Sequence, residues 1–567
     1  MSEPFFDFGH AADGATGDRM LIRFRLHLAL ALISTIGCAG LADTRGGSAN
    51  STPDPREANT WFADGRRAVA NSARQIEGER AARNVILFVG DGMGIATVTA
   101  ARILEGQRRG QTGEENLLAF EELPQLALSK TYSVDSQVPD SASTMTAMVS
   151  GVKTMSGVLG VDATVRVGDH SSVEAASVLT ILEEAEERGL ATGIVSTATV
   201  THATPAGCYA HVPFRFWEDD SLMAPQARED GFPDIARQLV EWPFGDGLEV
   251  ALGGGRVHFR PSGSVDPEDP TRSGGRLDGR DLTEEWLSAR RDSAYVWNRG
   301  QLERLDLSRI DHLLGLFEPM DMKWETDREN DQAGEPSLAE MTSAALEILS
   351  RDENGFFLMV EAGRIDHGHH AGNAERALSD TIALSDAVRV ALEATNPAET
   401  LIVVTADHSH TLTIAGYPKR GNPILGLAFG ASFFSGGTEQ YSRDALGKPY
   451  TTLSYANGPG YAGASKTQPE GAHHWGHRPC ESRPPFECSY QGITRGRPDL
   501  AEIDTTSPNY LQEATVPMGA ETHAGEDVPI YAGGPRAALF HGVREQNYIY
   551  HAMVEALGWT RGGRPAD

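Results

Sequence analysis

Glu361, Arg364, Asp366, His367, His369 and His370 fall within ten positions, directly after the apolar run Phe356–Val360. Carboxylates and imidazoles at this density are ligand types for divalent cations in hydrolytic sites, where thiolates would be the softer choice. If a helix begins near Asp366, then Asp366 and His370 stand at i and i+4 on one face. One ion can then be gripped by a carboxylate oxygen and an imidazole nitrogen. A solvated, His-rich loop is the competing reading of this segment taken alone.

Other stretches repeat the pattern of a ligand placed just beyond an apolar run. Asp91 stands in Gly90-Asp91-Gly92-Met93-Gly94, after NVILFV. Asp407 and His408 follow LIVVT, and His523 stands in ETHAGEDV. Each alone is matched by a hydrogen-bonded loop residue, but their recurrence at strand ends points to one shared site, because ligands of α/β sheets collect there. The glycine-rich text around Asp91 is not a P-loop, since no Gly-Lys-Ser/Thr follows. Ser141, in Val138-Pro139-Asp140-Ser141-Ala142-Ser143-Thr144, opens an apolar helix over Thr144–Val149. It reads either as a helix N-cap or as a nucleophile whose alkoxide and phosphate ester are stabilised by the helix N-terminus. No Gly-x-Ser-x-Gly elbow is present, so metal activation replaces a histidine base as the natural route.

These residues need a scaffold that brings strand ends together. Strands are predicted at Asn84–Val89, Gly193–Ser196, Leu248–Leu252, Phe356–Val360 and Leu401–Thr405, with another in VPIYAGG. Helices are predicted over Trp61–Arg83, Ile95–Gln107, Glu174–Arg188, Ser337–Arg351, Glu375–Ala394 and Gln546–Leu557. The alternation predicts an α/β fold, a mostly parallel central sheet sandwiched by helices. Residues 61–416 and 520–567 are expected to form this catalytic domain. Residues 417–519, rich in Gly, Pro, Ser, Tyr and Asn, read as an insertion. Within it, His473, His474, Trp475 and His477 read as a surface loop, with a second metal site as the alternative reading. Residues 43–60 read as a polar tether.

Residues 1–42 hold an N-terminal extension and a leader. Arg23 and Arg25 precede the apolar run Leu28–Ile36 and the small residues that end at Cys38. This is the pattern of a secretory signal peptide, too short to span a membrane. Met20 is the expected translation start. Ile36-Gly37-Cys38 resembles the end of a bacterial lipobox, although Thr35 stands where Leu is usual; lipidation of Cys38 and plain cleavage near Ala42 both stay open. The expected location is therefore secreted, periplasmic or on the surface of a bacterial cell. Cys480 and Cys488 could pair in an oxidising compartment. The 567 residues carry 49 Lys+Arg against 79 Asp+Glu, a net charge of −30. Such a surface argues against a nucleic-acid groove, and any phosphate site needs local cations.

Taken together, DGMG, PDSAST, THATPAGCYAH, VEAGRIDHGHH, TADHSH and ETHAGEDV resemble the alkaline phosphatase family, in its order, from about Arg83 to Gly558. His202 and His367 place the resemblance nearer the animal and marine bacterial type than the enterobacterial type. The resemblance implies that fold, with 417–519 as an inserted crown-like region, and hydrolysis of phosphate monoesters through a phosphoserine. It puts the nucleophile on Ser141 and the phosphate clamp on Arg215. One zinc ion falls on Asp366, His370 and His523, and the other on Asp91, Asp407 and His408. Magnesium falls on Asp91, Thr204 and Glu361, with His202 and His367 as neighbours. VDPEDP, GLFEPMDMKWE and GEPSLAEM resemble the animal-type calcium region, giving Glu268, the Phe317 carbonyl, Glu318 and Glu335. Glu335 stands where Asp is usual, after a loop two residues longer. A homodimer that binds phosphate monoesters and inorganic phosphate is also implied.

Two other readings compete. A phosphodiesterase of the same superfamily would use the same ions with a different pocket. A lipid-anchored phosphate- or metal-binding protein would have a decayed site, against which every ligand position is filled by a competent residue. A sulfatase is argued against by the absence of its Cys/Ser-x-Pro-x-Arg signature at Ser141.

Overall fold

A computed structural model of the protein describes residues 55–73, 80–431, 436–444, 447–462, 473–474 and 498–559. Its frame is a ten-stranded sheet, built from β1 (Asn84–Gly90), β2 (Gln125–Lys130), β3 (Ala191–Thr199), β4 (Val250–Gly254), β5 (Ser293–Val296), β6 (His312–Leu316), β7 (Phe356–Ala362), β8 (Thr400–Ala406), β9 (Val528–Gly533) and β10 (Gly542–Glu545). The order across the sheet is β10-β2-β9-β8-β1-β7-β3-β4-β6-β5. Every neighbouring pair is parallel except those made by β9, which runs against both β2 and β8. The expectation of a mostly parallel sheet is met.

The central strands are apolar throughout because both faces are covered. Along β1, Val85, Leu87 and Val89 join one core, while Ile86 and Phe88 join the other. The first core contains α3 (Ser141–Ser150), through Met145, Met148 and Val149, and α7 (Tyr548–Ala556), through Ile549, Ala552 and Met553. The second contains α2 (Ile95–Arg108), α4 (Leu338–Leu349) and α6 (Ala374–Ala394), through residues such as Val98, Leu104, Met341, Leu349, Leu378 and Val388. The short α5 (Arg364–His370) lies between β7 and α6.

Three local expectations change. The single helix expected over Glu174–Arg188 is two, Val173–Ala176 and Ile181–Glu187. Thr180 caps the second: its hydroxyl accepts from the Glu183 N–H, and the Glu183 carboxylate accepts from the Thr180 N–H. A capping box starts a helix afresh, so periodicity alone merged the two. Among the described residues the N-terminal helix α1 spans Thr60–Ala73, and residues 80–83, expected to be helical, are not. Residues expected to belong to the tether form a 3-10 turn at Pro55–Ala58, and Arg56 is buried against the Leu179 carbonyl, the Tyr550 hydroxyl and Glu184.

Within the region read as an insertion, Leu453–Gly458 pairs with Leu412–Ile414 and Ala514–Pro517 in a separate three-stranded sheet. His473–His474 pairs with Tyr510–Leu511. Trp475, His477, Cys480, Cys488, the leader and Cys38 lie outside the described residues. Among the described residues no helix is long and apolar enough to cross a membrane.

Candidate active site

The site forms where β1, β7 and β8 end in register. Gly90 pairs with Ala362 on one side and Ala406 on the other, which brings Asp91, Glu361 and Asp407 together. Because β9 is antiparallel, the chain entering it lies at the same edge, and there His523–Ala524 pairs with Ser409–His410. Gly92, with φ +69°, turns the chain at this edge; a Cβ on it would stand 2.3 Å from the His410 ring. The freed Gly92 N–H donates to Asp407 at 2.9 Å.

Asp366 and His370 do share one face of α5: His370 Nε2 lies 3.3 Å from Asp366 Oδ2. His523 Nε2 lies 3.2 Å from His370 Nε2 and 3.4 Å from Asp366 Oδ1, so the three residues converge. In the adjoining group, His408 Nε2 is 3.4 Å from Asp91 Oδ1 and 3.2 Å from Asp407 Oδ2. Asp91 also lies close to Glu361 and His202. Ser141 Oγ faces this group, 3.2 Å from His408 Nε2 and 3.4 Å from Asp91 Oδ2.

Ser141 is the first residue of α3, and it is not the cap. Asp140 caps the helix by accepting from the Ser143 N–H at 3.1 Å, which leaves the Ser141 hydroxyl to the site. The other oxygen of Asp140 lies 3.2 Å from Arg215 Nη1, and Arg215 Nη2 lies 3.1 Å from His202 Nε2. His367 Nδ1 accepts from Arg364 at 2.7 Å and its ring meets His202 edge-on. His369, buried, bonds Thr97 and Tyr455.

Asp91, Glu361, Asp366 and Asp407 are all buried. Burial and the charges of Asp407, Asp366 and Glu361 push the Asp91 carboxyl well above the usual range. Burial, opposed by the Ser196 hydroxyl and reinforced by Asp407, pushes Glu361 up to about 8. Asp366 goes the other way: His370 and His410 outweigh its burial and hold it well below the usual range. Burial keeps His408 neutral, and burial with Arg215 and His367 takes His202 down to about 3. Crowded carboxylates beside neutral imidazoles form a donor set that divalent cations stabilise. The Thr204 hydroxyl and Glu361 Oε1 are buried without a hydrogen-bond partner, and hard oxygen donors of this kind suit a small cation. The residues present fit the cations that such a site would take.

Sequence reasoning missed His410 and Glu521, although both stand in strings that carried the resemblance. His410 lies 2.6 Å from Asp366 Oδ1 through Nε2 and 2.5 Å from Glu521 Oε2 through Nδ1. Away from the centre, Glu268 and Glu318 meet as expected, but the third carboxylate of their cluster is Asp331. Glu335 instead accepts the Lys323 N–H with both oxygens, at 3.0 and 3.2 Å. Asp331 lies in the loop that leads to Glu335 and completes this acidic group in its place, which motif spacing does not reveal. Arg256, wholly buried, bonds Asp266 at 2.8 Å and Glu268 at 2.7 Å and so fixes this cluster.

The model of one family, alkaline phosphatase, matches residues 82–559. The chain is 45% identical over 485 residues to the tissue-nonspecific isozyme of alkaline phosphatase from Gallus gallus, covering 84% of this chain and 85% of that one. It is 41% identical over 511 residues to alkaline phosphatase from Gadus morhua, covering 89% and 97%. Among solved structures, alkaline phosphatase from Thermus thermophilus superposes with a TM-score of 0.56 at 25% identity, covering 85% of this chain and 92% of that one.

Proposed function

Because the chain belongs to the alkaline phosphatase family and is a phosphoric monoester hydrolase, we propose that it hydrolyses phosphate monoesters through a phosphoserine on Ser141. One observation carries this: the Ser141 hydroxyl, at the N-terminus of α3, opens into the group formed by Asp91, Asp407 and His408. Asp366, His370 and His523 would hold one zinc ion, and Asp91, Asp407 and His408 the second. Asp91, Thr204 and Glu361 would hold magnesium. When bound, these ions supply Lewis-acid stabilisation of the oxygens whose charge changes during phosphoryl transfer.

The residues of the chain do the rest. Ser141 Oγ attacks phosphorus in line with the ester oxygen, the P–O bond to the alcohol breaks, and water then hydrolyses the phosphoserine to release inorganic phosphate. The helix N-terminus favours the oxyanion and the phosphate attached to it. The planar fork of Arg215 binds two phosphate oxygens, and Asp140 aims it. Neutral His202 adds no charge beside that fork. A calcium ion at Glu268, Glu318 and Asp331, with the Phe317 carbonyl, would serve structure rather than chemistry. The leader points to export, and the resemblance to a homodimer.

The test is the rate of the zinc- and magnesium-loaded protein on p-nitrophenyl phosphate against bis-p-nitrophenyl phosphate. Faster turnover of the monoester is expected; faster turnover of the diester would overturn the reading in favour of a phosphodiesterase.

A further inference from the structure

β3 ends at Thr199, and the chain turns through Val200 and Thr201 to His202 and Thr204. The His202 N–H donates to the Thr199 carbonyl at 3.0 Å and closes this turn, which brings the Thr199 and Thr201 hydroxyls to one side. Both hydroxyls donate to one oxygen, Oε2 of Glu218, at 2.8 Å from Thr199 and 2.6 Å from Thr201. Glu218 stands just beyond Arg215 in the run Arg215-Phe216-Trp217-Glu218. The turn that carries His202 and Thr204 is thus tied to the segment that carries Arg215. The tip of that arginine reaches back to His202 at 3.1 Å, closing the loop of contacts.

Glu218 is well anchored for such a task. The Ile235 N–H donates to the Trp217 carbonyl at 2.9 Å, and the Ala236 N–H to the Glu218 carbonyl at 3.1 Å. Trp217 is buried in a small apolar cluster with Met223 and Ala227. Buried His258 lies behind the carboxylate, with Nε2 3.3 Å from Oε2, while its Nδ1 lies 2.7 Å from Asp219 Oδ2. Burial opposes charge on this imidazole, but Glu218, Asp219 and Asp234 raise it to about 9, so a cation backs the carboxylate. Hydrogen bonds to a charged acceptor are the strong, short kind, and two on one oxygen hold the turn at a fixed distance.

We propose that Glu218 is a positioning residue that sets the spacing between Arg215 and the His202–Thr204 turn, and so couples phosphate affinity to magnesium affinity. This rests on reading Arg215 as the phosphate clamp and Thr204 as a magnesium ligand.

The test uses the full chain, zinc-loaded, and measures inhibition by inorganic phosphate, the magnesium concentration for half-activation, KM and kcat. Glu218→Gln and, as a milder change that spares the charge, Thr201→Val are compared with Arg215→Ala. Removing a residue that orients ligands costs about 10-fold to 100-fold in affinity. Both Glu218→Gln and Thr201→Val are expected to raise the phosphate inhibition constant and the magnesium requirement by about 10-fold, with KM moving more than kcat. Thr201→Ser, which keeps the hydroxyl, should recover most of what Thr201→Val loses. Unchanged phosphate and magnesium constants in both variants, whatever happens to their melting temperature, would overturn the proposal and leave a packing role. If Arg215→Ala also leaves phosphate inhibition unchanged, the clamp reading itself fails; if Arg215→Ala weakens it and the Glu218 and Thr201 variants do not, only the coupling fails.

Discussion

His410 Nε2 lies 2.6 Å from Asp366 Oδ1, and the same imidazole is held from its other nitrogen by Glu521 at 2.5 Å. Burial works against protonation of this ring, but Glu521 and Asp366 raise it to about 10. His410 therefore orients Asp366 as a ligand while Glu521 orients His410. Glu521→Gln is expected to weaken zinc retention by about 10-fold to 100-fold, as outer hydrogen-bond partners of metal ligands do. Zinc content after dialysis against a graded chelator series measures this; wild-type retention in Glu521→Gln would contradict it.

Arg215 is the planar fork at the site, gripped by Asp140 at 3.2 Å. Arg215→Lys keeps the charge and loses the fork. A hydrogen bond between charged partners contributes about 1.5–3 kcal/mol, so phosphate inhibition should weaken by about 10-fold to 100-fold in Arg215→Lys. Inhibition constants for inorganic phosphate test this, and a lysine variant equal to wild type would rule out bidentate binding.

His258 gives a stability signature on the alkaline side. Its acidic neighbours Glu218, Asp219 and Asp234, opposed by burial, raise it from 6.5 to about 9. A group whose folded pKa is raised contributes stability that is fully present below its unfolded value and is lost as pH rises through the folded one. The melting temperature of the wild type is expected to fall between 6.5 and about 9 by more than that of His258→Gln. Parallel profiles for the two proteins would contradict this.

The central strands are legible in the sequence because buried parallel strands read as unbroken apolar runs, and most of the candidate site residues are legible because they stand just beyond those runs. Asp366 and His370 were recognisable as a pair from their i, i+4 spacing, and they meet as expected. Contacts set by tertiary approach were not legible. Glu521 reaches His410 across more than one hundred positions, and although it stands two residues before His523, only the fold shows which side chain it holds. Asp140 and Ser141 are both N-cap types, and only the Asp140 side chain accepting from the Ser143 N–H shows that the cap is Asp140. Glu335 was matched by motif, whereas the loop geometry delivers Asp331.

That difference is testable at the acidic group of Glu268, Glu318 and Asp331, the site proposed for calcium. Glu268, Glu318 and Asp331 crowd one another, and burial together with Glu318 and Asp331 lifts Glu268 to about 7 against the pull of Arg256. Calcium is expected to raise the melting temperature of the wild type and of Glu335→Gln, and to do so much less in Asp331→Asn. Differential scanning calorimetry with and without calcium would show it. Loss of the calcium effect in Glu335→Gln alone would return the fourth position to Glu335.

On the proposed mechanism Ser141 carries the phosphoryl group as the nucleophile, a role that can be observed directly. Its most direct measurement is acid-quenched trapping of the enzyme during turnover of a radiolabelled phosphate monoester, followed by peptide mapping, in wild type and Ser141→Ala of matched zinc and magnesium content. Label on the peptide containing Ser141 in the wild type, with neither label nor turnover in Ser141→Ala, is the expected result. Turnover that persists in Ser141→Ala near the wild-type rate, or label on a different residue, would contradict it.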